Sequence, residues 1–199
     1  MKIKSVCIVG VDGAGKSSTI ENLVNRLGEK NACVQYMGSR QWETQLAKNN
    51  VERQIYRFPL RAIMFLYSYI YEMYYRVLKH RKSEKIVIFD RYAYEQVYIR
   101  EASTRGLRDK LNNFIFRVFL LWFFPRPDIT FYLVCPLEVS MKRKTDIITQ
   151  DDIDSLVRNK ECLDCCYLNK KGVYVIDTSV VEQSEVVNII ENTIKERLT

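Results

Sequence analysis

The sequence predicts a three-layer α/β fold in which about five parallel strands form a sheet with helices on both faces. Short apolar runs alternate along the chain with longer segments whose apolar residues recur at helical spacing. The run 86–89 is apolar at every position, which is typical of a parallel strand covered on both sides. The length of 199 residues and the hydrophobic content of 47% suit one compact core, so we expect a single domain over residues 1–199.

The N-terminal half begins with a predicted strand at residues 4–9, an apolar run that ends at Gly10. A predicted helix follows from Lys16, with apolar residues on one face and Gly28 where a glycine commonly ends a helix. The next predicted elements are a strand at 32–37, a polar helix at 41–54, an aromatic helix at 60–78 and a buried strand at 85–89. The aromatic pattern favours core or interface packing, and an acceptor with a ring or lipid stays open as the alternative.

The C-terminal half begins with a helical region at residues 94–123, which is broken near Gly106 and ended by Pro125 and Pro127. The remaining predicted elements are a strand at 129–135, a short helix at 137–144, a helix at 152–168, a strand at 173–176 and a helix at 185–198. Ser184 is the expected N-cap of the last helix. This order is typical of a doubly wound sheet.

The basic composition favours a polyanionic ligand. The net charge is +7 and the pI about 9.0, which suits a nucleotide together with a phosphorylated acceptor. No nucleic-acid-binding module is recognisable, so nucleic acid is not an expected partner. The longest uncharged apolar stretch, 62–71, has ten residues, against about 20 for a membrane-spanning helix. With no secretory signal visible, we expect a cytoplasmic protein.

Six cysteines without a secretory signal are expected to be reduced thiols. Cys162, Cys165 and Cys166 include a C-x-x-C spacing that also occurs at zinc sites, but a structural zinc site needs a second pair of ligands. His80 is the one histidine of the chain. Packing within a helix is the favoured interpretation, and a metal role remains the alternative.

A complete phosphate-loop motif follows the first predicted strand. The segment 10–17 matches G-x-x-x-x-G-K-[ST] and opens a predicted helix, which is the context that the motif requires. The glycines let backbone N–H groups turn toward phosphate oxygens, and the helix N-terminus adds further donors. Lys16 supplies positive charge near the β and γ phosphates, and Ser17 offers a hydroxyl to Mg²⁺. The predicted nucleotide-binding residues are Gly10, Asp12, Gly13, Ala14, Gly15, Lys16, Ser17 and Ser18 of this segment, together with Arg143 farther along the chain.

An acidic residue inside this loop needs its own explanation. The carboxylate of Asp12 opposes phosphate binding unless its side chain points toward a second substrate. A local turn-forming role is the alternative.

Asp90 and Arg91 come directly after the third predicted strand. The carboxyl ends of parallel strands form the edge where ligands bind in open α/β sheets. Asp90 is expected to orient a metal-bound water or the acceptor hydroxyl, and Arg91 to bind a phosphate or the charge of the transferring group. A surface ion pair at the start of a loop is the alternative.

Three basic residues, Lys142, Arg143 and Lys144, end the short helix after the fourth strand. Favourable interaction with the helix dipole explains cations at this position without a function. The functional interpretation is a lid over about residues 142–152 that excludes water from a phosphoryl transfer site.

With these segments identified, the chain resembles the thymidylate kinase family of nucleotide kinases nearly from end to end. Four stretches carry the resemblance: residues 10–18, the F-D-R-Y of residues 89–92, the P-R-P-D-I-T of residues 125–130 and the E-V-S-M-K-R of residues 138–143. The resemblance implies a P-loop NTPase fold, ATP and Mg²⁺ as cofactors, and a homodimer. It also implies phosphate contacts from Arg91 and a lid role for Arg143, and it favours a substrate contact from Asp12. The expected metal contacts are Ser17 and Asp90, and the expected catalytic residues are Lys16, Asp90, Arg91 and Arg143.

The acceptor side departs from the family pattern. Residues 36–40 read Y-M-G-S-R where the family has R-E-P, so only Arg40 can substitute there. Glu95 stands in place of a serine, and the segment ending at Arg100 replaces A-Y-Q. The lid lacks a clear second arginine. The expected acceptor contacts are Asp12, Arg40, Arg91, Tyr92, Glu95 and Arg100.

Three functions remain open at this point. The first is transfer of the γ-phosphoryl group of ATP to a nucleoside monophosphate resembling thymidine monophosphate. The second is a small-molecule kinase on the same scaffold, acting on a nucleoside, sugar or polyprenol. The third is an ATP-gated binding protein, against which the Asp90–Arg91 pair argues because a switch needs no acceptor clamp.

Overall fold

The computed structural model describes residues 4–37, 74–80, 83–92, 124–144 and 149–198, with single positions at 110, 114, 117, 118 and 122. Five strands lie in these ranges: β1 (Ser5–Gly10), β2 (Ala32–Tyr36), β3 (Ile86–Asp90), β4 (Ile129–Val134) and β5 (Val173–Asp177). Four helices are described over their whole length: α1 (Lys16–Leu27), α2 (Leu137–Arg143), α3 (Gln150–Tyr167) and α4 (Gln183–Leu198). Residues 74–78 are also helical. The predicted helix 41–54, and most of the helices 60–78 and 94–123, lie outside the described residues.

All five strands are parallel, in the order β2-β3-β1-β4-β5. The fold class predicted from the alternating pattern is therefore confirmed. β1 is buried along its whole length because β3 and β4 flank it on either side. Its apolar side chains join those of β3 and β4 in the main core. The carboxyl ends of β1 and β3 lie together, since Ile8 pairs with Asp90 in the sheet register.

Helix α1 packs against α4 through apolar faces at helical spacing. Leu23 of α1 and Val187 and Ile190 of α4 are fully buried. This packing fixes the direction of α1, whose N-terminus opens toward the carboxyl edge of the sheet. Since α4 begins at Gln183, Ser184 lies inside the first turn and the prediction of Ser184 as N-cap was wrong.

Helix α3 begins earlier than predicted. Thr149 is its N-cap, and a capping box joins the Thr149 and Asp152 side chains to each other's backbone N–H groups. The sequence T-Q-D-D at 149–152 contains this capping box, but the helix start was predicted from apolar spacing alone. Of the predicted lid, 142–143 end α2, 150–152 begin α3, and 145–148 lie outside the described residues.

The cysteines at the end of α3 have different surroundings: Cys166 is buried, Cys165 exposed and Cys162 intermediate, and none of the three forms a disulfide bond. His80 contacts β2, with its Nδ1 3.7 Å from the Cys33 Sγ. In the described part of the chain no group of three or more His, Cys, Asp or Glu side chains is arranged to hold a metal ion. A search of the same residues finds no helix long and apolar enough to cross a bilayer.

Candidate active site

The phosphate loop joins β1 to α1 through two glycines in the left-handed region. Gly13 has φ 85° and Gly15 has φ 82°, values that residues with a Cβ rarely adopt. Gly15 is the N-cap of α1, and no atom lies within 4 Å of the place where its Cβ would be. The loop therefore presents the N-terminus of α1 to open space, which is the arrangement that binds anions.

At position 10, by contrast, a glycine is needed because the backbone of β4 leaves no room for a side chain. A Cβ on Gly10 would lie 2.5 Å from the carbonyl oxygen of Leu133. Gly10 and Ala14 are buried and do not line the cavity beside the loop. These two residues shape the loop, whereas Gly13, Gly15, Ser17 and Ser18 face the cavity.

The side chain of Lys16 is 7% exposed and lies back over its own loop. Its Nζ donates hydrogen bonds to the carbonyl oxygens of Gly10 at 2.9 Å and Val11 at 2.7 Å. The ammonium group also lies 3.8 Å from the Asp12 carboxylate. These contacts place a buried positive charge at the wall of the cavity.

Asp12 is surrounded by positive charge. Arg91 donates a hydrogen bond to its Oδ1, and the Lys144 Nζ lies 3.1 Å from its Oδ2. Burial opposes ionisation of this carboxyl, but the charges of Arg91, Lys16 and Lys144 outweigh it and lower the pKa of Asp12 to about 2. Asp12 therefore stays ionised at neutral pH and holds three cations beside the loop.

Asp90 ends β3 and faces the same cavity. Its Oδ1 is buried and has no hydrogen-bond partner among the described residues. Burial raises the pKa of Asp90. The charges of Lys16 and Arg91 oppose this rise, and the negative charge of Asp12 adds to it. An unpaired carboxylate oxygen in a native structure is costly and marks a place where a ligand or metal fits.

Arg91 has an unusual backbone conformation for a residue other than glycine, with φ 67°. Its N–H donates to the Ile8 carbonyl oxygen at 3.1 Å, which ties the turn to the end of β1. The left-handed conformation turns the chain away from β3 and brings the guanidinium group to Asp12. Such strain is concentrated at functional sites.

Tyr92, which follows, takes a different place from the one predicted. It is 1% exposed, and its hydroxyl donates a hydrogen bond to the Pro125 carbonyl at 2.6 Å. Its ring packs edge-on against Phe89 and Phe124. The side chain belongs to the core and does not line the cavity. The predicted acceptor residues Arg40, Glu95 and Arg100 lie outside the described residues.

The turn after β5 also lines the cavity. Arg143 donates to the Thr178 carbonyl oxygen at 2.8 Å and to the Thr178 Oγ1 at 3.2 Å. Thr178 is itself fixed to β4, because its N–H donates to the Val134 carbonyl oxygen at 2.9 Å. Arg143 thus connects α2 with the β5–α4 turn.

A single cavity of about 760 Å³ joins these groups. It is lined by the phosphate loop, by Asp90 and Arg91, by Arg143 and Lys144, by Tyr36 at the end of β2, and by residues 178–183 with Val186. Tyr36 and Thr178 line the cavity, although neither was predicted to be a site residue. Thr178 carries no sequence signal beyond its position directly after β5, at the ligand-binding edge.

Ser17 and Asp90 fit the requirements of a magnesium ion. Both line the cavity, and both offer oxygen atoms, which are the ligands that Mg²⁺ prefers. The unpaired Asp90 Oδ1 supports this fit, since a metal ion or its bound water would supply the missing partner.

Comparisons with known proteins agree with this geometry. Residues 8–190 match the family described as "Thymidylate kinase". The chain is similar to a probable thymidylate kinase of Methanocorpusculum labreanum, with 28% identity over 141 residues, 69% of each chain.

Two solved structures share the fold. The thymidylate kinase of Candida albicans has a TM-score of 0.68 at 17% identity and covers 98% of this chain and 92% of its own. The deoxyadenosine kinase of M. mycoides, solved with dCMP and dCDP, has a TM-score of 0.62 at 18% identity and covers 96% and 99%.

Proposed function

The chain belongs to the thymidylate kinase family and is a kinase, and from this premise we propose that it transfers the γ-phosphoryl group of ATP to a nucleoside monophosphate in the presence of Mg²⁺. One observation carries the proposal. The phosphate loop and the Asp90–Arg91 pair face one cavity from adjacent strands, so that donor and acceptor groups have a common site.

The donor side consists of the loop and the turn after β5. The N–H groups around Gly13 and Gly15 bind the phosphate chain, and Lys16 neutralises charge near the β and γ phosphates. Arg143 and Thr178 form another part of the cavity wall and are hydrogen-bonded to each other. In this arrangement Arg143 binds the nucleotide and fixes the wall.

The metal side consists of Ser17 and Asp90. A bound Mg²⁺ would be held by the Ser17 hydroxyl and the Asp90 carboxylate, and it would neutralise charge on the transferring group. Ionised Asp90 is required for this role. Burial raises the pKa of Asp90, and the cations Lys16 and Arg91 next to it oppose that rise.

The acceptor side begins at Arg91 and Asp12. Arg91 is placed to bind the phosphate of a nucleoside monophosphate and to stabilise the charge that spreads over the transferring group. The paired Asp12 orients Arg91 and is available to an acceptor hydroxyl. Arg40, Glu95 and Arg100 complete the proposal as acceptor contacts. A homodimer in the cytoplasm is part of the same proposal.

The proposal is tested by measuring ADP release from wild-type protein and from Lys16→Ala across nucleoside monophosphates, nucleosides and phosphorylated sugars. We expect nucleoside monophosphates to give the highest kcat/KM. Loss of the Lys16 charge is expected to raise the barrier by several kcal/mol, on the order of a thousandfold in rate. A folded Lys16→Ala protein with near-normal turnover contradicts the proposed mechanism, and a preference for nucleosides or sugars contradicts the proposed acceptor.

A further inference from the structure

Three consecutive cations at the end of α2 have different surroundings. Lys142 is exposed and does not line the cavity. Arg143 donates hydrogen bonds to Thr178 in the turn after β5. Lys144 lines the cavity and its Nζ lies 3.1 Å from the Asp12 Oδ2. Of these three, Lys144 therefore faces the phosphate loop.

The backbone explains this difference. Lys144 is the C-cap of α2 and has extended dihedral angles, φ −117° and ψ 102°. Because its backbone is no longer helical, its side chain points in a different direction from the one that the Arg143 side chain takes on the helix. The side chain is 24% exposed, so the ammonium group remains accessible from the cavity.

Lys144 shares Asp12 with two other cations. Lys16 comes from α1, Arg91 from the end of β3 and Lys144 from the end of α2, and all three line the cavity with Asp12. Two carboxylates of the same cavity, Asp12 and Asp90, balance two of these three charges. The remaining positive charge lies beside the N-terminus of α1, and both features favour a polyanion.

We propose that Lys144 is a phosphate-binding residue of the active site, whose ammonium group contacts the phosphate chain of the bound nucleotide. The nature of that ligand rests on the proposed function. The ammonium group carries three donors on a flexible stem, so it can bind a phosphate oxygen while it remains near Asp12. Asp12 acts as the positioning residue, because its ion pair holds the lysine over the loop and reduces the entropy lost on binding.

Inorganic tripolyphosphate is a suitable probe, because it has the phosphate chain of ATP without base, sugar or acceptor. Calorimetric titration would compare wild-type protein with Lys144→Ala and with Lys142→Ala, which removes the same charge from the same helix. We expect Lys144→Ala to weaken binding about tenfold, since a charge-assisted hydrogen bond is lost. Lys142→Ala is expected to change the affinity by less than about twofold, as for an exposed charge.

Lys144→Arg preserves the charge and is expected to recover most of the affinity, whereas Lys144→Gln is not. Circular dichroism would check that each variant is folded. Equal affinities for Lys144→Ala and Lys142→Ala overturn the inference, even if the wild-type protein is an active kinase. A wild-type protein that releases no ADP with any acceptor, but whose tripolyphosphate binding depends on Lys144, contradicts the proposed function and supports the inference.

Discussion

Ser140 on α2 donates a hydrogen bond from its hydroxyl to the backbone carbonyl oxygen of Asp12 in the phosphate loop. Ser140 is fully buried, and the neighbouring Gly13 lies so close that a Cβ there would be 2.6 Å from the Ser140 carbonyl oxygen. Helix α2 therefore packs directly on the loop. The same helix ends at Arg143 and Lys144, so the loop and the base of the predicted lid are in contact through one short helix.

The first prediction is that Ser140→Ala weakens both stability and ATP binding. Loss of this buried hydrogen bond is expected to lower the free energy of unfolding by about 1 kcal/mol, because the Asp12 carbonyl loses a partner. We expect the KM for ATP to rise more than kcat falls, since the loop shapes the donor site. Urea denaturation and steady-state kinetics measure the two effects.

Thr193→Ala is the matched control, because the Thr193 hydroxyl also donates to a backbone carbonyl, that of Ile189, but at an exposed position on α4. It is expected to leave the KM for ATP unchanged. If both variants change KM equally, the contact between α2 and the loop has no special role in nucleotide binding.

The second prediction separates the side chain of Arg91 from its backbone. Arg91→Ala and Arg91→Gly both remove the guanidinium group, and we expect both to lower kcat far more than ATP affinity. Because φ is 67°, glycine relieves strain that alanine retains. Arg91→Gly is therefore expected to be more stable than Arg91→Ala by about 1 kcal/mol.

Thermal unfolding and ATP titration of the two variants check this prediction. A sharp loss of ATP affinity with turnover intact at saturating ATP would make Arg91 a donor contact, contrary to its proposed role. Equal stabilities of the alanine and glycine variants would contradict the left-handed conformation.

The third prediction concerns two carboxylates with opposite effects on stability. The pKa of Asp12 falls from 3.8 to about 2 on folding, so its ionised form stabilises the folded state above pH 3.8 and this contribution disappears as the pH falls toward 2. The pKa of Asp90 is raised instead, so its ionised form destabilises the folded state at neutral pH, and protonation removes the penalty.

Asp12→Asn is accordingly expected to cost on the order of 2 kcal/mol at pH 7 and little at pH 2. Asp90→Asn is expected to raise the melting temperature at pH 7 while it abolishes turnover, as often happens at functional sites. Melting temperatures of both variants between pH 2 and 7 measure this. A lower melting temperature for Asp90→Asn at neutral pH would show that the carboxylate is satisfied in the ligand-free protein.

The strands, the phosphate loop and the Asp90–Arg91 pair could be predicted because local signals specify them. A strand whose residues are apolar on both faces, such as residues 86–89, is expected to be covered on both faces. The glycine spacing around Lys16 is rare outside phosphate loops. The capping box of Thr149 and Asp152 is also local and was available in the sequence.

The contacts that assemble the site were not predictable in the same way. The Ser140–Asp12 hydrogen bond joins residues 128 positions apart, and the Arg143–Thr178 bond joins residues 35 positions apart. Both depend on the strand order, which places β4 between β1 and β5. The prediction of Tyr92 as an acceptor contact was wrong for the same reason. Only the packed structure shows that the carbonyl oxygen of Pro125 accepts a hydrogen bond from the Tyr92 hydroxyl.

The last prediction is that thymidine monophosphate is not the best acceptor. Glu95 and Arg100 replace the residues that the family pattern places near the thymine base, and residues 36–40 lack its acceptor-holding pattern. A site that hydrogen-bonds a base discriminates strongly, because mismatched buried polar groups are left unpaired. Glu95 and Arg100 are five positions apart, so on a regular helix they share no face and cannot both pair with one thymine.

The measurement is kcat/KM for thymidine monophosphate beside the other nucleoside monophosphates, in wild-type protein and in Glu95→Ser, which restores the serine of the family pattern. We expect Glu95→Ser to increase the relative use of thymidine monophosphate, and Glu84→Ser, which removes the same charge at an exposed position before β3, to leave the ranking unchanged. If thymidine monophosphate is preferred by the wild-type protein more than about tenfold, which is roughly 1.4 kcal/mol of transition-state stabilisation, then Glu95 and Arg100 do not read the base. In that case thymine is recognised by other groups of the acceptor side, and the departures from the family pattern have no effect on specificity.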